Sequence, residues 1–155
     1  MARKTVIWAN YHFSMGSPLK ALQAFKDAGF SEAKLKWLNK CPASDIVSRI
    51  VEGKPLLVMG LHPPFDGHAW VVDGYLRRVR DKVSTDSKGR VLKTERETAE
   101  YLHCNFGWGG AANGYYPFGQ FDTAAGPVFR HQGKDLYGGK TAPHHFSCFL
   151  HFIDY

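Results

Sequence analysis

The stretch Tyr101-Leu-His-Cys-Asn-Phe-Gly-Trp-Gly-Gly110 leaves the chain few ways to fold. Glu100 to Asn105 reads as a strand, the glycines after it demand a tight turn presenting Trp108, and Gly114-Tyr115-Tyr116 reads as the strand that resumes. Upstream, Gly67-His68-Ala-Trp-Val-Val-Asp-Gly74 sets a histidine at the mouth of an apolar strand. The glycine before it lets another backbone or a ligand approach closely. If these two strands are neighbours, the imidazole of His68 faces the carboxamide of Asn105 beneath the Trp108 indole. Residues directly opposed on antiparallel strands have Cβ atoms ~4.5–5.5 Å apart. The Asn105 side-chain oxygen is then expected to accept from the imidazole N–H, fixing its tautomer and ring plane.

The rest of the chain supplies a scaffold of matching type. Thr5 to Ala9 is expected to form a short strand and Asn10 to Gly16 a loop. Ser17-Pro18 is a helix start, a capping hydroxyl followed by proline at the first helical position. Leu19, Ala21, Leu22, Ala24, Phe25 and Ala28 form that helix's buried stripe, and Gly29 ends it. Ala33 to Leu38 alternates as a half-buried strand with Leu35 and Trp37 inward. Ser44 is expected to cap a short helix that buries Ile46, Val47, Ile50 and Val51. Pro55 to Gly60 is a continuous apolar run, read as a strand covered on both faces. His62-Pro-Pro-Phe-Asp-Gly67 is read as loop. Residues 76–97 are dense in charge and read as a protruding hairpin, returning as Thr98 to Asn105. Ala124 to Pro143 is a long glycine- and proline-containing loop, and His144 to Tyr155 alternates as a closing strand in mid-sheet. Helices early and antiparallel strands later predict a single α+β domain over residues 1–155, with a curled sheet and two short N-terminal helices.

Composition narrows the function. The 155 residues carry a net charge of +6, yet the one basic cluster, Leu76-Arg-Arg-Val-Arg-Asp-Lys82, falls on the hairpin and reads as a solvated strand extension. No nucleic-acid partner is expected. No run approaches the ~20 apolar residues of a membrane span, and Met1-Ala-Arg-Lys leads into too short an apolar run for a signal peptide. The three cysteines have no disulfide or metal spacing. His62, His68, His103, His144 and His145 match no zinc pattern, and the Gly107–Gly110 run leads into a strand rather than a helix. No cofactor or metal is expected.

Gly67-His68-Ala69-Trp70-Val71-Val72-Asp73-Gly74-Tyr75, together with His103-Cys104-Asn105-Phe106-Gly107-Trp108-Gly109-Gly110 and Asn113-Gly114-Tyr115-Tyr116, resembles the streptopain-type cysteine peptidases, a papain-like group. The likeness runs from about Tyr11 onward and covers the second half of such a catalytic domain, the barrel-like β half. It implies a cysteine-type endopeptidase acting on extended peptide or protein substrates, extracellular or at the cell surface. It further implies His68 as the base and Asn105 as its orienter, with Gly67, Phe106 and Trp108 as the active-site wall. The family's Asn-Trp-Gly-Trp pattern has Phe106 in place of tryptophan here, which keeps the apolar wall and loses an indole N–H.

The nucleophile is expected elsewhere. In the family it opens a buried helix in the first half, and no cysteine of this chain fits. Cys104 precedes Asn105 and points to the other face, Cys148 lies in an apolar row, and Cys41 precedes Pro42 in a loop. Two readings follow. One is the His/Asn-bearing half of a peptidase, whose partner is a separate Cys-bearing half or a propeptide-like inhibitor. The other is a pseudo-peptidase module that binds peptide or a partner protein without cutting it. Asp73, opposite His68, reads as a structural acceptor before Gly74.

Overall fold

The computed structural model describes residues 17–63, 66–129 and 144–155; the expected strand at Thr5 to Ala9, the loop expected after it at Asn10 to Gly16 and most of the 124–143 loop lie outside them. The Ser17 hydroxyl accepts from the Leu19 amide at 3.2 Å and Pro18 follows, so α1 runs Pro18–Asp27. Ala21 is buried and Leu22 and Phe25 pack beside it, but Leu19 is exposed. β1 (Lys34–Trp37) follows and passes into a 3₁₀ turn, Leu38–Lys40. α2 runs Ala43–Val51. Ser44 is not its cap: it lies inside the helix with its hydroxyl on Asp45, and Pro42 holds the cap position. Ile46 and Ile50 face the core while Val51 points to solvent.

The remaining elements are β2 (Leu56–His62), β3 (Asp66–Thr85), β4 (Val91–Asn105), β5 (Gly114–Pro117), β6 (Phe121–Asp122), β7 (His145–Phe146) and β8 (Cys148–Asp154). Six of the strands form one antiparallel sheet in the order β1-β8-β2-β3-β4-β5, so the last strand sits inside the sheet between the first two. β6 and β7 make a small second sheet. Among the described residues the large sheet is open, with β1 and β5 as its edges, and the two helices beside a mainly antiparallel sheet make the α+β class that was expected.

Each face of the sheet buries a different set of residues. Leu56 and Val58 of β2 join Trp70, Val72, Leu102, Cys104, Phe146, Leu150 and Phe152 in the main core, roofed by Ile46 of α2. Met59 joins Ala21, Ala33 and Ile153 on the other face, beneath α1. β2 is therefore covered on both sides, which its unbroken apolar run requires. Gly60 pairs with His68, and a Cβ there would come within 2.7 Å of Leu150 Cδ2 and 3.1 Å of Trp70 Cη2. The missing side chain lets those two groups close over the strand.

β3 and β4 continue beyond their neighbours. β2 pairs no further than Val72 and β5 no further than Tyr101, yet the ribbon runs on to Thr85↔Val91. Its charges answer one another across the strands: Glu97 takes Arg80 and Lys82, and Asp81 takes Arg96. Such exposed pairs are each worth under about 1 kcal/mol. Their function is to keep a two-stranded extension solvated.

Candidate active site

β3 fixes one wall of the site. By strand alternation Asp66, His68, Trp70 and Val72 share the face that carries the main core. Val72 pairs with Cys104, which puts Cys104 on that face, and Val71 pairs with Asn105, which puts Asn105 on the opposite one. The expectation that Asn105 faces His68 is thus corrected by the register: the two side chains are one residue out of phase. The Asn105 carboxamide is exposed, and its oxygen accepts from the Gly107 amide at 3.0 Å.

The partner of His68 is a backbone group. Its Nε2 lies 2.8 Å from the carbonyl oxygen of Phe106. A carbonyl only accepts, so Nε2 carries the proton and Nδ1 keeps its lone pair in the neutral ring. The peptide that provides this carbonyl is held from three sides. Its own N–H, that of Gly107, donates to Asn105 Oδ1, and the preceding N–H, that of Phe106, donates to Asn113 Oδ1 at 3.0 Å. The Phe106 ring is buried against Trp70, Trp108 and Tyr116. Asn105 therefore bonds the peptide whose carbonyl meets His68 rather than the ring itself, and Asn113 bonds the amide before it.

The turn that aims this peptide is strained on purpose. Gly107 has φ +75°, and Ala112, which has a side chain, has φ +61°. A left-handed L-residue costs about 1–2 kcal/mol. The Tyr116 hydroxyl, which donates to the Ala112 carbonyl at 2.6 Å in the core, helps hold it there.

Aromatic rings close the site. The Trp108 ring lies 4.6 Å from that of His68, Phe146 5.8 Å, Phe106 6.2 Å and Trp70 6.5 Å. Trp108 covers the imidazole–carbonyl bond, where an imidazole–carboxamide bond was expected. Burial holds His68 below its ordinary 6.5; the bond to Phe106 and the charge of Asp66 oppose that shift, and His144 adds to it. A Cβ on Gly67 would meet Leu61 Cδ2 at 3.0 Å, so the glycine serves close packing against β2. Asp73, at the bulge between Val72 and Gly74, takes the Nδ1 of His103 at 2.5 Å on the far face.

Sequence reasoning missed a second histidine here. His144 Nε2 lies 2.6 Å from Asp66 Oδ2, and its ring stacks on Phe146 with centroids 5.4 Å apart. Adjacent His145 turns away to Asp122. No group of three or more metal-ligating side chains occurs among the described residues.

None of the three thiols bonds to His68. Cys104 is fully buried, and desolvation pushes its thiol well above the ordinary range. Cys148 is half-buried beside Ser147, and Cys41 packs at the core's edge.

A family model described as the Peptidase C10 family matches residues 12–116. The chain belongs to the Peptidase C10 family. This is the streptopain family, whose activity is that of a cysteine peptidase and whose members are typically secreted. Among curated proteins none matches the chain. The C10 match takes in β3, the Phe106–Asn113 turn and β5 as far as Tyr116. Phe146 and His144, which complete the aromatic enclosure, come from beyond it. No helix among the described residues is long and apolar enough to cross a membrane.

Proposed function

We propose that this chain carries the general base of a cysteine-type endopeptidase, with His68 in that role. The observation that carries the reading is the imidazole's geometry: Nε2 committed to a fixed carbonyl and Nδ1 left with a lone pair, in a ring kept neutral by burial. A thiol brought to Nδ1 gives up its proton there, forming a thiolate–imidazolium pair. The thiolate adds to the substrate carbonyl, and the imidazolium returns its proton to the departing amine. The same ring then takes a proton from the water that hydrolyses the thioester. Phe106 and Trp108 exclude solvent, while Asn105 and Asn113 position the peptide that orients the base. The nucleophile comes from outside Cys41, Cys104 and Cys148, on a Cys-bearing segment or chain that packs over His68. The open sheet is the papain-like β half, working outside the cell or at its surface.

The test joins this chain, fused or in trans, to the Cys-bearing half of a C10 peptidase and follows cleavage of a labelled peptide. Hydrolysis should be blocked by a thiol alkylator and fall about 10²–10⁴-fold in His68→Ala. Turnover indifferent to His68 would sink the reading, as would thiol-dependent turnover by this chain alone. The absence of a thiol bonded to His68 favours a second reading, a pseudo-peptidase that binds peptide in the same groove. Saturable binding of an uncut peptide by the joined protein would support it.

A further inference from the structure

Asp66 precedes His68 by two residues, on the same face of the same strand. A carboxylate in that place is a natural partner for a half-buried imidazole. Were it to take Nδ1, it would draw a proton onto the ring and occupy the nitrogen that the proposed chemistry needs. The carboxylate instead engages His144 Nε2 at 2.6 Å.

His144 is built to stay there. Its amide donates to Thr123 Oγ1 at 3.0 Å, and its carbonyl accepts from the Thr123 amide at 2.8 Å. Its ring lies nearly parallel to Phe146, at 8°, and edge-on to His62 with centroids 5.1 Å apart. The other ring nitrogen, Nδ1, is buried without a partner. Among the described residues Asp66 is thus the one polar group bonded to the ring. The neighbouring titratable groups among the described residues are otherwise occupied: His62 Nδ1 accepts from the His145 amide, and His145 pairs with Asp122. None competes for Asp66. Both imidazoles touch the same Phe146 and Trp108 rings, so the pair sits beside the base without bonding to it.

We propose that His144 is a positioning residue that holds the Asp66 carboxylate away from His68, leaving the base its bond to the Phe106 carbonyl and an open Nδ1. This rests on His68 being the base of the site, and it assigns a role to a residue outside the family-matched span. The direction of the His68 shift agrees: Asp66 raises its proton affinity, but less than burial lowers it.

The experiment follows the titration of the His68 ring by NMR in the full chain, which needs no nucleophile. In His144→Leu, which removes the donor that holds Asp66, the freed carboxylate should turn to His68, raising its midpoint by about 0.5–1 pH unit, the low end for a partly exposed partner. In the double variant Asp66→Asn/His144→Leu the midpoint should return to the wild-type value or below. An unchanged midpoint in the single variant overturns the proposal, as does a rise that survives in the double variant. A second measurement needs no substitution: long-range ¹H–¹⁵N correlation in the wild-type chain should show the His144 ring carrying its proton on Nε2, toward the Asp66 carboxylate. A neutral His144 ring protonated on Nδ1 overturns it equally. Loss of the base role in the joined-peptidase assay, with these titrations as described, would fault the function and leave the Asp66–His144 assignment standing.

Discussion

Removing the side chain of Asn113 should disturb the site more than removing that of Asn105. Both carboxamides hold the backbone around the Phe106 carbonyl, at 3.0 Å in each case, but they differ in what replaces them. The Gly107 amide lies at the surface, so in Asn105→Ala water takes over the bond and the cost is about 0.5–1 kcal/mol. The Phe106 amide belongs to a residue only 1% exposed, enclosed by Trp70, Trp108 and Tyr116. Asn113→Ala leaves that donor without a partner where water enters poorly, at a cost of about 1–3 kcal/mol. At 155 residues this is a fall in Tm of roughly 2–12 °C. Urea unfolding followed by tryptophan fluorescence gives the two stabilities, and NMR of the His68 ring reports whether its partner has moved. The reasoning predicts a large change in the His68 shifts for Asn113→Ala and a small one for Asn105→Ala. The reverse order would mean that the Asn105 carboxamide, and not the backbone, orients the imidazole.

Two further outcomes follow from the same contacts. Gly114→Ala should lower stability by at least about 2 kcal/mol, because its φ is +148° and the new Cβ would lie 2.6 Å from the Phe129 carbonyl oxygen. Gly89→Ala, at φ +77° with open space around it, should cost only about 1 kcal/mol, and equal losses in thermal unfolding would refute the steric part of the argument. Stability should also depend on pH through His68. Its folded value is depressed, so the unfolded chain binds the proton more readily. The contribution is therefore fully present above 6.5 and is lost as pH falls below it. His68→Gln should flatten that part of the stability–pH curve, and an unaltered slope would contradict the assigned shift.

Several features could be read from the residues because their physics is local. Ser17-Pro18 starts a helix by itself, the apolar run at Leu56 announces a strand buried on both faces, and the glycines after Asn105 announce the turn. What failed was pairing. A shift of one residue in register sends every side chain to the other face, and nothing near Asn105 states that its partner is Val71 rather than Val72. The true partner of His68 was invisible for a further reason. Every residue has a carbonyl, so a backbone acceptor has no signature; the residue types report only the asparagines that hold it. The Asp66–His144 pair was hidden by distance along the chain, since closure of β8 between β1 and β2 brings His144 near. Leu19 and Val51 follow a helical pattern yet face solvent, since the apolar period shows which residues share a helix face and not which of them the sheet reaches.

The central claim, that a main-chain oxygen holds His68 with Nδ1 left open, can be examined in the isolated chain by long-range ¹H–¹⁵N correlation of its imidazole at neutral pH. The account predicts a neutral ring in the Nε2–H tautomer, with the proton in a hydrogen bond. A ring protonated on Nδ1 under those conditions would contradict it.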